Sequence, residues 1–123
     1  MKSVFLVFLG GGLGSICRYL VALGFKNLKI QHFLYYQTLT VNVLGSFCIG
    51  LILGWLLKNN PQNSDLQLLL VTGFCGGFTT FSAFSSENFN LLKNGQFLEF
   101  ALYVSGSIIL GLIAVFLGLA LGK

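Results

Sequence analysis

The chain has 123 residues, 55% of them hydrophobic and only 8% charged. A soluble domain needs roughly 25% charged residues to cover its surface, so this composition excludes a water-solvated globule and makes the lipid bilayer the natural solvent. The formal charge of +4 comes from scattered residues with no basic run, which leaves no electrostatic footprint for nucleic acid.

A membrane-spanning helix needs about 20 mostly apolar residues. Segments 4–25, 33–57, 66–92 and 97–122 meet that requirement and predict an all-α membrane protein of four transmembrane helices in a single domain. The first segment starts after Lys2 and runs through Gly10, Gly12 and Gly14 to Arg18 and Tyr19. It lacks a small-x-small cleavage site followed by polar sequence, so it reads as a helix of the mature chain rather than a signal peptide. The connections hold nearly all the charges and the single proline, Pro61. Connections this short make neighbouring helices antiparallel and put both termini on one side of the membrane.

In the second segment Thr38, Asn42 and Ser46 recur at i, i+4 and i+8 and share a helix face. A carboxamide deep in lipid is expensive unless it bonds to a partner or faces water. Asn42 therefore has two readings: glue between helices, or the lining of a path.

The third segment carries GFCGGFTTFSAFSSE, residues 73–87. Gly76-Gly77 followed by Thr79-Thr80 are poor helix formers placed together. Irregular backbone is tolerated at membrane depth only where protein buries it or where it lines a cavity or ion site, so an interruption of the third helix is expected between Gly76 and Thr80. Phe81 and Phe84 then share a face, with Ser82 and Ser85 beside them. A phenyl ring has a positive edge, and edges aimed into a narrow path can help strip water from an anion while amides and hydroxyls donate hydrogen bonds. The bland alternative is that these rings face lipid or pack.

The fourth segment sets Tyr103, Ser107 and Gly111 on one row. Ser107 can join a polar track, or the row can serve close packing, as the Gly10/Gly14 and Gly50/Gly54 pairs are expected to do. Arg18 and Glu87 lie near helix ends, where they can pair, snorkel to the interface, or charge a vestibule. No Asp, Glu or His falls at mid-span, which leaves no evident proton relay. The lone His32 sits in a predicted loop with no nucleophile beside it, so enzyme chemistry is not expected. Cys17, Cys48 and Cys75 lie in apolar stretches without metal-ligand spacing and read as small apolar residues.

Loop charges balance across the four spans. Lys2, Lys58 and Lys123 fall on one side, and Lys26, Lys29 and Lys93 on the other. Orientation normally follows an excess of Lys and Arg on the cytoplasmic face. With no excess, either another feature fixes a weak bias or the chain inserts both ways round and forms an antiparallel homodimer. Four helices fill their own interior and leave little room for a water-filled path, so transport requires at least two copies.

Three motifs, GGGLGSICRY (10–19), TLTVNVLGSFCIG (38–50) and GFCGGFTTFSAFSSE, taken together resemble the Fluc, or CrcB-type, fluoride-channel family. The resemblance covers the whole chain in length, spans and motif order. It implies a dual-topology antiparallel homodimer in the inner (plasma) membrane. Two fluoride pathways would run along the subunit interface, with a structural Na⁺ bound at the centre by backbone carbonyls of the broken third helices. By the same resemblance, Phe81 and Phe84 would form the aromatic box, Asn42 would be the pore asparagine, and Gly76 and Thr79 would supply the carbonyls for Na⁺. Thr38, Ser82, Tyr103 and Ser107 would form a polar track, and Arg18 and Glu87 match the family's charged positions. Ala83 stands where many relatives have Thr, which removes a hydroxyl but leaves the Phe spacing intact.

Two other functions compete. A small multidrug exporter has this size and topology but needs an acidic residue within the membrane, and the first segment here has only Arg18 as its charge. A purely structural membrane protein would use Asn42 and the Gly-Thr break for packing alone, and would pass no ion.

Overall fold

A computed structural model describes residues 1–29 and 33–123, and the side chains of all of these except 33 and 34. His32 therefore lies outside the described residues. The first helix is Lys2–Leu28, the second Phe33–Asn59 and the fourth Phe97–Gly122, while the third span covers Ser64–Lys93. All four are long and apolar enough to cross a membrane, and the 27 residues of the first helix correspond to about 40 Å of rise. The helices overrun the apolar segments by a few residues, since backbone bonding continues into polar flanks until the chain meets a breaker. Lys29 ends the first helix in the left-handed region at φ 54°. Pro61 follows the second, and Gly95 turns the chain at φ 73° before the fourth.

Helix pairing follows the glycines. The first helix packs against the upstream half of the third span, and the second against the fourth. In the first pair Gly10 and Gly14 press directly on the backbone of residues 69–78, and a Cβ on Gly77 would strike the Gly11 carbonyl. Gly50 and Gly54 meet Gly118 and Gly122 in the same way. Small residues let backbones approach closely, and in lipid van der Waals contact rather than hydrophobic burial drives association. At one end Lys2 Nζ lies 2.8 Å from Asp65 Oδ2, so the first and third spans begin on the same side. The pair is largely exposed and stabilises little.

The third span is not a uniform helix. Ser64–Leu66 opens it, with Asn63 Oδ1 accepting from Leu66 N–H at 3.0 Å. Gln67–Cys75 follows in wider π-type turns, and the Gly76 N–H reaches back to the Val71 carbonyl. Helical backbone continues through Gly76–Phe78, becomes extended at Thr79 (φ −82°, ψ 160°) and Thr80 (φ −147°, ψ 119°), and resumes over Phe81–Lys93. The two glycines thus stay helical and serve the contact with the first helix, while the two threonines carry the interruption. Beyond it the downstream half leaves the first helix and lies against the second and fourth.

Candidate functional site

Two extended residues inside a span leave backbone groups that must find partners. Asn42, from the facing second helix, takes both polar groups of Thr80: its Oδ1 accepts from the Thr80 N–H at 2.8 Å, and its Nδ2 donates to the Thr80 carbonyl at 3.0 Å. A carboxamide can do this because it presents a donor and an acceptor side by side, like the edge of a strand. Gly45, one turn along, makes room for the interruption, since a Cβ there would strike Thr79 Cγ2. Thr80 also caps the downstream helix, its Oγ1 accepting from Ala83 N–H at 3.2 Å and lying 3.3 Å from Ser82 Oγ.

These bonds redirect two donors. The Thr80 N–H, which a continuous helix would send to the Gly76 carbonyl, goes to Asn42. The Ala83 N–H, which would go to the Thr79 carbonyl, goes to Thr80 Oγ1. Gly76 and Thr79 therefore lose their helical i+4 donors. Gly76 is also exposed on the surface of the single chain.

Beside the clamp runs an open groove of about 310 Å³, bordered by Asn42, Ser46, Thr80, Phe81, Phe84 and Ser107. None of the described residues lining it carries a charge. Asn42 uses one of the two N–H bonds of its amide on Thr80. Ser107 Oγ is buried and has no hydrogen-bond partner among the described residues. Phe81 is 78% exposed at the rim, its ring centroid 6.0 Å from that of Phe84. Phe84 in turn lies 5.0 Å from Tyr103, and Tyr103 lies 5.6 Å edge-on from Tyr35. Four rings thus form a ladder that starts in the groove and leads away from it.

The other candidates fall in two places. Ser82 stays at the helix cap with Thr80. Thr38 and Tyr103 converge on Glu87: Thr38 Oγ1 donates to Oε2 and Tyr103 Oη donates to Oε1, each at 2.6 Å. Glu87 is 8% exposed and lies well inside the Phe81–Lys93 helix, not at an interfacial end. It makes no pair with Arg18, which is half-buried on the first helix while Glu87 faces the second and fourth. The ion pair found among the described residues is Lys2–Asp65.

Thr80, expected only as part of the interruption, and Gly45 both belong to the site. A signal for Thr80 was present, because a threonine opening a helix is an N-cap residue. Gly45 stood in the motif, but only the facing Thr79 gives it a purpose. No group of three or more His, Cys, Asp and Glu side chains among the described residues is placed to hold a metal ion.

The whole span of this architecture has relatives. Residues 5–119 match the family model described as CrcB-like protein, Camphor Resistance (CrcB). The chain is 47% identical over 123 residues to a "Fluoride-specific ion channel FluC" from Flavobacterium psychrophilum, covering 100% of this chain and 98% of that one. It is 49% identical, with the same coverage, to a protein of the same name from Gloeothece citriformis, and 48% identical over 116 residues to another from Chlorobium chlorochromatii, covering 94% of this chain and 88% of that one. The chain belongs to the CrcB-like protein family.

Proposed function

We propose that the chain is a fluoride-selective passive anion channel of the cell inner membrane, and not an enzyme, working as an antiparallel dual-topology homodimer with two pathways and a structural Na⁺. The observation that carries this reading is the uncharged groove in which Asn42, Ser107, Phe81 and Phe84 meet. Full-length identity with proteins named as fluoride-specific channels agrees with it.

The chemistry suits a small, strongly hydrated anion. A fixed cation would trap any anion, whereas several neutral donors in a narrow path replace hydration and still let the ion leave. Ser107 Oγ and the remaining Asn42 N–H are donors available for that purpose, and the Phe81 and Phe84 ring edges add weak positive potential. The groove is open on one side and Phe81 projects from the chain, so a second copy is needed to wall the path. The balanced loop lysines favour a partner inserted in the opposite sense. A membrane potential negative inside drives an anion outward by about 2.3 kcal/mol per 100 mV, so export needs no coupled ion.

The carbonyls of Gly76 and Thr79 fit a monovalent cation, because both have lost their helical donors and oxygen ligands suit a hard ion. When bound, the ion satisfies those carbonyls and fixes the interrupted backbone. The Asn42–Thr80 bonds hold the interruption from the other side.

Fluoride efflux from proteoliposomes, read with a fluoride electrode beside a chloride control, tests the proposal. The expected result is fast fluoride release, little chloride release, and no dependence on a pH gradient. Silence toward both ions from a folded dimer sinks it in favour of a structural role, and release that requires a pH gradient replaces it with a proton-coupled carrier.

A further inference from the structure

A second cavity, about 360 Å³, lies between the start of the second helix, the end of the third span and the start of the fourth helix. Tyr35, Tyr36, Gln96, Glu99, Leu102 and Tyr103 border it. Glu99 is the one charged side chain among the described residues that do so. The cavity sits at a membrane boundary, since Gln96 precedes the fourth helix and Tyr35 lies near the beginning of the second. Asn42 is seven positions further along the second helix, about 10 Å deeper.

Both spaces end on the same wall. Phe84 borders the groove, Tyr103 borders the cavity, and their ring centroids are 5.0 Å apart. The aromatic ladder continues across that wall from Phe81 to Tyr35. The Tyr103 hydroxyl donates to the buried Glu87, which also accepts from Thr38. The packed Phe84 and Tyr103 rings thus stand between the groove beside Phe81 and Asn42 and the second cavity.

We propose that this cavity is the far mouth of the anion pathway and that the Glu99 carboxylate restrains anion access from that side. The inference rests on the channel reading and deepens it by assigning a second opening and a charge that tunes it. A carboxylate at a mouth lowers the local anion concentration, by an amount that depends on ionic strength, because the field of an exposed charge reaches about 30 Å at 0.01 M salt and about 3 Å at 1 M.

The test uses the full chain in proteoliposomes with Glu99→Gln and Glu99→Lys. Glu99 is exposed, so both variants are expected to fold, and size-exclusion chromatography checks that they do. At 0.01 M ionic strength fluoride flux should rise in the order Glu, Gln, Lys, by about twofold or more at each step, and at 1 M the three should converge. Equal flux at both salt concentrations overturns the proposal. So does a difference that persists unchanged at 1 M, which would mark a steric or structural role. A wild-type protein silent at every salt concentration defeats the channel reading itself, and with it this inference.

Discussion

Asn42 holds the backbone of Thr80 by both its N–H and its carbonyl, at 2.8 and 3.0 Å, from a helix 38 positions earlier in sequence. Of the two readings of the asparagine, glue between helices is the one these bonds express directly. The amide is glue between helices, and because the glue is applied at the interruption it also borders the groove.

Replacing Asn42 by Ala leaves both Thr80 groups without partners, and an unsatisfied buried group costs about 1–3 kcal/mol. Single interhelical bonds in membranes average about 0.6 kcal/mol, but here two bonds and the shape of the backbone depend on one side chain. Asn42→Ala should therefore lower the thermal stability of the detergent-solubilised protein by at least about 1 kcal/mol and remove fluoride flux. Asn42→Asp keeps the acceptor for the Thr80 N–H but sets an anion against the Thr80 carbonyl and beside the path, so it should also be silent. An Asn42→Ala protein that melts and conducts like wild type would rule out the clamp.

The two phenylalanines should separate stability from flux. Phe81 is 78% exposed on the single chain, so Phe81→Ile should leave helix packing unchanged. Phe84 touches the Phe81 and Tyr103 rings, and losing such contacts costs about 0.5–1.5 kcal/mol each. Both variants should assemble as dimers and lose fluoride flux, because isoleucine has no ring edge to offer an anion. Retained flux in a properly assembled Phe81→Ile dimer would count heavily against the ring-edge mechanism.

Much of this architecture was readable from residue pattern. Apolar length marked the four spans, and the Gly-Thr run marked where the third would be irregular. The interruption falls on Thr79 and Thr80 rather than the glycines, because Gly77 is committed to the first helix. Glycine spacing announces close approach but does not say which helix approaches. The surroundings of Glu87 were illegible for a related reason: its partners Thr38 and Tyr103 lie 49 and 16 positions away on two other helices. In one dimension it was a charge near a helix end. The π-type turns of Gln67–Cys75 had no expected counterpart, since a shift in backbone bonding leaves no side-chain signature.

The glycine contacts give a paired prediction. A Cβ on Gly77 would meet the carbonyl oxygen and Cα of Gly11, backbone atoms that cannot swing aside, whereas a Cβ on Gly12 meets nothing within 4 Å. Gly77→Ala should part the first helix from the third span at a cost of about 1–3 kcal/mol. Gly12→Ala should be neutral or stabilise by up to about 1 kcal/mol through helix propensity. Thermal melts of the two variants in one detergent check this, and equal melting would mean that the close approach does not hold the pair together.

Sodium is the remaining test of the interrupted span. The Thr80 N–H and the Ala83 N–H are turned away from the Gly76 and Thr79 carbonyls, and carbonyls without donors in a low-dielectric setting favour a cation. An ion that binds the folded state and not the unfolded one stabilises by RT ln(1 + [L]/Kd), about 2.7 kcal/mol at a hundredfold excess over Kd. The melting temperature should therefore rise with Na⁺ in a saturable way. On the proposed Na⁺ site, equal concentrations of K⁺ or a large organic cation should have a smaller effect, because both are larger than the ion the site would hold. Gly45→Ala, which drives a methyl group into Thr79, should weaken or abolish the Na⁺ dependence while leaving the contact between the first helix and Gly77 intact. Melting curves that coincide in all three salts would show that the freed carbonyls are satisfied in some other way, and would remove the ion from the account without touching the Asn42 clamp.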